Sequence, residues 1–425
     1  MAAAGSPTAP LPAPQVPSLG LKECPAPQLS APPPPLRPPP RRKRRRQEET
    51  EGNGAVGQRN LWGRHLPPEI LLRIFQAAVA QDGAVPILCR AARVCRLWNL
   101  VASDPHLWQK VSLGGHTWGA PAPQRPPKSL SPFCELAKSR LRLLQEFELQ
   151  GWKSHVGPLL QALSAGCPQL LSLSLSRCGG VPAPPPPCPN LRRLQLRLCQ
   201  ELLLSCDPRW APPILPALAG GLCPQLQLLE LDMGPGGCSG LAPPLLLPVE
   251  GLQGACPQLK VLRLLNVTLD PRPCRQPPAG AACPGGGVAS AGFPQLVELS
   301  LASPEGGSGI GDLLLQRLLH RSPGLRLLDL RGCARVTPRG LLDLPCHELE
   351  RLYLGLPCGS ERVPRLAEGS AALARKWRRS LQELDLAGRH FEPGDLAQAM
   401  ATFSRDAPLR SLDLAGTKVT AEGLR

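Results

Sequence analysis

The feature that most constrains this chain is a phrase of six residues, Leu-x-x-Leu-x-Leu, which recurs ten times if the degenerate copy Leu144-Phe147-Leu149 is included. Successive copies begin 21 to 37 residues apart. A unit of this length cannot bury its apolar side by itself, so it folds by stacking a short strand and a helix on neighbouring units. The pattern therefore predicts a curved α/β solenoid of about ten repeats. The copies begin at Leu144, Leu170, Leu191, Leu226, Leu259, Leu296, Leu325, Leu349, Leu381 and Leu409.

A short turn introduces five of the copies, and Cys167-Pro168-Gln169 is the first of these turns. Proline disfavours helix in the residue before it and favours extended chain, so each unit should read helix, turn, strand and loop. Side chains alternate across a strand, which turns the leucines inward and the residues between them outward. We predict that this outward strip binds a partner protein through Arg193, Gln195, Arg197, Glu230, Asp232, Asp329, Arg331, Arg351, Tyr353, Glu383 and Asp385.

The position that follows each strand varies between copies. A small polar side chain there can bond to the backbone as the chain leaves the strand. Three copies place a cysteine in this position, namely Cys178, Cys199 and Cys333. Four others place there Gly234, Pro304, Pro357 and Arg389. The second group predicts irregular repeats, and the Pro- and Gly-rich stretch 270–292 predicts a long loop.

A helical module precedes the repeats. Apolar residues at 70, 71, 74 and 75 follow helical spacing, which predicts a helix from about 67 to 80. Gly83 and Pro86 are expected to end it, a second helix to begin near Ile87, and a third to carry the apolar residues from 94 to 101. Asp104-Pro105 is a cap-and-turn signal. Three short helices cannot bury all their apolar surface, so we expect the module to pack on a partner or on the next domain.

The first 60 residues are dominated by Ala, Pro and charged residues, and we predict that they form a disordered tail. Their basic run is either a nuclear localisation signal or a solvated charge run. It comprises Arg41, Arg42, Lys43, Arg44, Arg45 and Arg46 and supplies six of the net +16 charges. The sequence shows no basic patch with interleaved aromatics, so nucleic acid is not the expected partner. A nuclear adaptor that binds nucleic acid through the tail stays open as an alternative.

The sequence gives no sign of catalytic chemistry. None of the 17 cysteines forms a Cys-x-x-Cys pair, and the seven histidines are scattered. We therefore predict no metal, no cofactor and no enzymatic activity, so function should depend on surfaces. No signal peptide or membrane-spanning run is recognised, and a membrane partner is not expected. The prediction is an intracellular protein of the cytoplasm, the nucleus or both, with reduced thiols.

The helical module resembles the F-box. The resemblance covers Leu66 to Val111 and rests on the Leu-Pro start, the phrase Val94-Cys95-Arg96-Leu97-Trp98 and the closing Leu107-Trp108. The segment 77–84 departs from the pattern by being Ala-rich and slightly long, which puts the first interhelical loop in doubt. With the repeats behind it, the chain is similar to the F-box/leucine-rich-repeat family.

The resemblance implies a substrate-recognition subunit of a Skp–cullin–F-box ubiquitin ligase. Such a subunit docks on the Skp adaptor, and through it on cullin and RING subunits, while the repeats hold an unknown protein substrate for ubiquitination and proteasomal degradation. The implied adaptor contacts are Leu66, Pro67, Glu69, Ile70, Leu71, Ile74 and Phe75. Four further residues would either join these contacts or hold the helices together, namely Val94, Cys95, Trp98 and Trp108. The alternative is a leucine-rich-repeat scaffold or inhibitor that binds a protein without ubiquitination.

The expected domain division follows from these patterns. It consists of a tail at 1–60, an F-box at 62–113, a Pro-rich joint at 114–132 and a leucine-rich-repeat solenoid at 133–425. The sequence stops at Arg425, where a helix should begin. Solenoids normally end in a polar capping repeat, so we expect this one to lack its C-terminal cap.

Overall fold

The computed structural model describes ten stretches of the chain: residues 66–114, 139–179, 188–199, 214–234, 244–270, 292–303, 309–357, 370–390, 393–403 and 407–417. The predicted tail with its basic run, most of the Pro-rich joint, the interior of the loop at 270–292 and the C-terminal residues 418–425 lie outside them. No helix within these stretches is long and apolar enough to cross a membrane.

The helical module consists of three helices that pack on one another, followed by a 3-10 turn at Pro105–Trp108. The helices are α1 (Pro68–Asp82), α2 (Ala84–Ala91) and α3 (Arg96–Ala102). Gly83 alone separates α1 from α2, with a φ of 83° that an L side chain rarely adopts. The segment 77–84 that put the interhelical loop in doubt is therefore almost entirely helical.

The second helix begins at Ala84, earlier than predicted, and therefore includes Pro86. This proline lies in the first turn of α2 rather than before the helix. The first N–H groups of a helix have no intrahelical partner, so a proline there loses no hydrogen bond. Asp104 behaves as predicted, because its Oδ1 accepts a hydrogen bond of 2.9 Å from the backbone N–H of His106 at the start of the 3-10 turn.

A long parallel sheet carries the solenoid, in agreement with the predicted fold class. Its strand order is β1-β2-β3-β4-β5-β7-β9-β10-β11-β12-β13, and β6 and β8 form a separate pair. The strands are β1 (Lys110–Leu113), β2 (Glu146–Gln150), β3 (Ser172–Ser176), β4 (Arg193–Arg197), β5 (Leu228–Asp232), β6 (Leu245–Leu246), β7 (Val261–Leu265), β8 (Leu269–Asp270), β9 (Glu298–Ser300), β10 (Leu327–Asp329), β11 (Arg351–Tyr353), β12 (Glu383–Asp385) and β13 (Ser411–Asp413).

Helices lie between many of the strands and close the core of motif leucines on the other side. They are α4 (Val156–Gly166), α5 (Ile214–Ala219), α6 (Val249–Ala255), α7 (Asp312–Leu319), α8 (Pro338–Leu342), α9 (Ser370–Trp377) and α10 (Pro393–Met400). The strand register is continuous across repeats of different length: Leu173 pairs with Leu194, and Leu194 with Leu229. Every insertion is therefore accommodated outside the sheet.

Cysteines that follow a strand form hydrogen bonds to a backbone carbonyl of the preceding repeat. The Sγ atoms of Cys178 and Cys333 each lie 3.5 Å from such a carbonyl oxygen, of Leu149 and Leu301 respectively. Arg389 occupies the same position, yet the expectation of an irregular repeat there is wrong. Its buried guanidinium donates to Leu354 O at 2.7 Å and to Cys333 O at 3.2 Å, so it bonds across two repeats.

Candidate functional site

The helical module exposes a concentration of apolar side chains. Six large apolar residues are exposed among the residues described, and four of them lie in this module. Ile70 is 44% exposed and Ile74 46%, one helical turn apart on α1, while Val94 and Leu100 are 61% and 71% exposed on either side of the start of α3. Apolar side chains left in water at this density indicate a surface that binds another protein.

Helix α1 has two adjacent apolar stripes with different environments. Ile70 and Ile74 form the outer stripe, whereas Leu71 and Phe75 are buried in the core. Phe75 packs edge-on against Trp98, with ring centroids 5.3 Å apart and planes at 74°. The stripes are one residue apart, about 100° around the helix, and in this module the 71/75 stripe faces inward.

The predicted adaptor contacts divide accordingly. Pro67, Glu69, Ile70, Ile74 and Val94 are exposed. Leu66, Cys95 and Trp98 are half-buried. Leu71, Phe75 and Trp108 are buried, so the prediction that Leu71 and Phe75 face a partner is corrected: they hold the helices together. Trp108 likewise falls in the packing role that the sequence left open for it.

Leu100 is a surface residue that the sequence analysis missed. It is the most exposed large apolar residue of the helical module, while Val101 beside it is buried. The spacing gave no signal. Leu97 and Val101 are four residues apart and share one face of α3, but Leu100 lies three residues after Leu97 and could share that face as well. Its exposure depends on the tertiary packing of α3.

Trp108 joins the module to the solenoid. The register of β1 on β2 pairs Val111 with Phe147 and Leu113 with Leu149. Trp108 therefore takes the place of the first leucine in a copy of the phrase, Trp-x-x-Val-x-Leu, that belongs to the helical module. Its indole Nε1–H donates to Ala102 O at 2.8 Å.

The backbone bonds at this junction repeat those inside the solenoid. Gln109 O accepts from the N–H groups of Gln145 at 2.8 Å and Glu146 at 2.9 Å. Gln145 O in turn accepts from the first two N–H groups of the next unit, at 2.9 Å each. The module and the repeats thus share one hydrogen-bonded sheet and one apolar core, and β1 adds an eleventh strand to the ten that the phrase predicted.

The outward strip of the sheet is polar and largely paired in its middle. Glu230 is almost fully buried and accepts hydrogen bonds from Arg197, Gln195 and Arg263, the last at 3.1 Å; Arg263 also pairs with Glu298. Burial acts to raise the pKa of Glu230, but hydrogen bonds from Arg197 and Gln195 outweigh it and hold the pKa below its ordinary value.

The C-terminal part of the strip combines one aromatic ring with several charges. The Arg331 guanidinium lies 5.3 Å from the centroid of Tyr353 and donates to both carboxylate oxygens of Asp329, at 2.9 and 2.8 Å. Burial, together with the hydrogen bond to Glu383, raises the pKa of Tyr353 to about 12. Burial raises the pKa of Asp385, and the charge of Asp413 on the next strand acts in the same direction.

The predicted partner contacts of the strip fall into three groups. Exposed are Arg193, Arg197, Arg331 and Arg351. Half-buried are Gln195, Asp232, Tyr353, Glu383 and Asp385. Glu230 and Asp329 are buried under the arginines that pair with them, so the prediction that they touch a partner directly is corrected. They position Arg197, Arg263 and Arg331 instead.

The described residues hold no group of three or more His, Cys, Asp or Glu side chains that could bind a metal ion. Their cysteines are free thiols, most of them buried. What the described part of the chain offers is two surfaces, one apolar on the helices and one polar on the sheet.

Comparison with known proteins finds family matches at both ends of this region. Residues 64–114 match the F-box-like family and residues 406–425 the Leucine Rich repeat family. The F-box protein SKIP19 of Arabidopsis thaliana is 26% identical over 295 residues, which cover 69% of this chain and 76% of that protein. The structure titled "Crystal structure of Rad7 and Elc1 complex in yeast" contains a chain that is 14% identical, with 82% of each chain covered and a TM-score of 0.33, too low to establish a common fold. These matches support an F-box-like domain followed by leucine-rich repeats, the arrangement of the F-box/leucine-rich-repeat family.

Proposed function

We propose that the chain is the substrate-recognition subunit of a Skp–cullin–F-box ubiquitin ligase. The observation that carries the proposal is the exposed apolar surface of Ile70, Ile74, Val94 and Leu100 on a domain that matches the F-box-like family. Full burial of one side chain of this size contributes about 1.5–3 kcal/mol. An adaptor of the Skp type that covers this surface would supply the burial that the three helices cannot supply for themselves.

In this proposal the repeats hold the target protein. The outward strip presents arginines, carboxylates and one tyrosine on neighbouring strands, a mixture suited to a hydrated protein interface. The chain itself would be non-catalytic. It would raise the effective concentration of the target near the ubiquitin-conjugating enzyme that the cullin and RING subunits bring to the assembly. Proteasomal degradation of the target would follow from its ubiquitination.

Co-purification with a Skp-type adaptor tests the docking step. We expect the wild-type chain to capture the adaptor and the double variant Ile70→Asp, Ile74→Asp to lose at least about 100-fold in affinity, because two carboxylates would be buried without partners. Leu313→Asp is the matched control, since Leu313 is an exposed leucine on α7, 79% accessible, in the solenoid. No capture by the folded wild type would refute the proposal.

A second measurement separates the ligase receptor from a scaffold or inhibitor. Proteins labelled in proximity to the wild-type chain should accumulate when the proteasome is inhibited, and should not do so with the Ile70→Asp, Ile74→Asp variant. Under the scaffold alternative, the same neighbours would be labelled by both chains, and their abundance would not respond to proteasome inhibition.

Import into the nucleus is a separate proposal for the run from Arg41 to Arg46. Six consecutive basic side chains resemble the short basic segments that import receptors recognise. A fluorescent fusion of the full chain should move from nucleus to cytoplasm when the six residues are replaced by Ala. An unchanged distribution would leave the run as a solvated charge segment.

A further inference from the structure

A groove of about 280 Å³ runs along one edge of the sheet, at the end where the strands begin. It lies apart from the outward strip and from the apolar surface of the helices. Its lining comes from the segments that enter four successive strands, β2 to β5. The lining residues are Gln145, Gln169, Leu171, Asn190, Arg192 and Gln225.

The groove is a product of the repeat. Gln169, Asn190 and Gln225 each follow the proline of the turn that introduces a copy of the phrase. The continuous register of the strands places these equivalent positions side by side. The edge therefore carries a row of side-chain amides, four in this groove when Gln145 is included.

These amides have unused hydrogen-bonding capacity. The side chains of Gln145, Gln169 and Gln225 make no hydrogen bond to another residue in the described part of the chain. The Asn190 side chain donates once, to Pro168 O at 3.0 Å, and keeps its own oxygen free. A side-chain amide carries donors and an acceptor, as a peptide unit does. The row matches the alternating N–H and C=O groups of an extended main chain, which need partners when a peptide is bound.

The groove also has an unbalanced positive charge. Arg192 is exposed and pairs with no carboxylate among the residues described. The carboxylate next to Gln145 belongs to Glu146, which is engaged 2.9 Å from Lys110. A guanidinium binds a carboxylate through two parallel hydrogen bonds. The lining contains no aromatic ring on which a base could stack, which disfavours single-stranded nucleic acid.

We propose that this groove binds an extended acidic peptide segment of the protein that the repeats recognise. The amides of Gln145, Gln169, Asn190 and Gln225 pair with the main chain of the segment, and Arg192 pairs with an Asp or Glu side chain. The proposal rests on the proposed function, because it names the chemical class of the segment that a substrate would present.

The test uses the full chain in complex with its Skp-type adaptor. The probe is a fluorescein-labelled decapeptide of alternating Glu and Ser, compared by fluorescence anisotropy with a decapeptide of alternating Lys and Ser. We expect the acidic peptide to bind and Arg192→Glu to weaken it at least about tenfold, since a charge-assisted hydrogen bond is replaced by repulsion. The double variant Gln169→Ala, Gln225→Ala should weaken it less. Arg339→Glu, the same charge change at an exposed position on α8, should have no effect.

Three outcomes would overturn the inference. The first is equal binding of the acidic and basic peptides. The second is equal affinity of wild type and Arg192→Glu, which would mean that the probe binds to basic residues outside the groove. The third is tighter binding of an oligouridylate of ten nucleotides than of the acidic peptide. Because every sample is purified through the adaptor, failure of the peptide assay with adaptor capture intact rejects this inference alone.

Discussion

The helical module and the solenoid differ in how they cover their apolar side chains. Both are built from units too small to bury their own apolar side chains. The solenoid buries its leucines against the next repeat and turns paired polar groups outward, as with Glu230 between Arg197 and Arg263. Among the described residues, the module packs against the first repeat through Trp108, and it leaves Ile70 and Ile74 exposed. The difference between the two regions is that the apolar surface of the solenoid is covered by the next repeat, whereas that of the module stays exposed, as the proposed adaptor docking requires.

The largest effect is expected from Trp108→Ala, which removes the indole that packs between the helical module and the solenoid. Removing a fully buried Trp should lower the free energy of unfolding by about 3–5 kcal/mol. Hydrogen exchange should rise in both α3 and β2, because one core serves both. Trp98→Ala, at a half-buried position away from the sheet, should cost less. Loss of protection in α3 alone would show that the two regions unfold independently.

Arg389→Met tests the bonding between repeats far from the module. The change leaves the carbonyls of Leu354 and Cys333 buried without this donor, and should cost about 2–3 kcal/mol in urea unfolding. Adaptor capture should remain, since the helices are untouched. Arg339→Met, on the surface of α8, provides the control and should change stability little. A cost no larger than that of the control would mean that the buried guanidinium contributes nothing net.

Glu230→Gln should lower stability by about 1–2 kcal/mol at pH 7, because it leaves Arg197 and Arg263 without their shared charge. The folded pKa of Glu230 is lowered from its ordinary value of 4.5. Its contribution is therefore complete above pH 4.5 and is lost as the pH falls through the folded pKa. Unfolding curves of wild type and variant should converge below pH 4.5. A gap that stays constant there would contradict the assigned pairing, and Glu348→Gln at an exposed pair serves as control.

Cys199→Ala should have the smallest effect, about 1 kcal/mol, through loss of a buried sulfur that lies 3.5 Å from Leu175 O. The exposed Cys89 offers the matched control, Cys89→Ala, with no expected change in unfolding. Equal stability of the two variants would show that the Cys199 sulfur contributes no net stability to the packing of these repeats.

The repeats were more predictable than the module for a physical reason. A strand has period two, so the phrase itself states which side chains face inward, and the buried Leu173 and Leu175 confirm it. In a helix with adjacent apolar stripes at 70/74 and 71/75, the spacing does not determine which stripe is buried. That choice depends on where Trp98 packs, which is a tertiary contact.

Other features were hidden because they depend on neighbouring repeats. The copy of the phrase that begins at Trp108 escaped notice because it contains one leucine where three were sought. The burial of Glu230 depends on arginines one repeat before and one repeat after it. Within its own repeat, Arg389 departs from the sequence pattern. Its hydrogen bonds involve the carbonyls of two earlier repeats, so they cannot be deduced from its own repeat alone.

The continuous strand register has a consequence for how this molecule can change over time. First leucines stand 21 residues apart between Leu170 and Leu191 and 37 between Leu259 and Leu296, yet their strands stay in step. Segments between strands can therefore gain or lose residues without displacing a single position of the sheet. Evolution can alter the rim of such a receptor by insertion while the spacing of its contacts is preserved, and a protein engineer can place a tag or a second binding loop there.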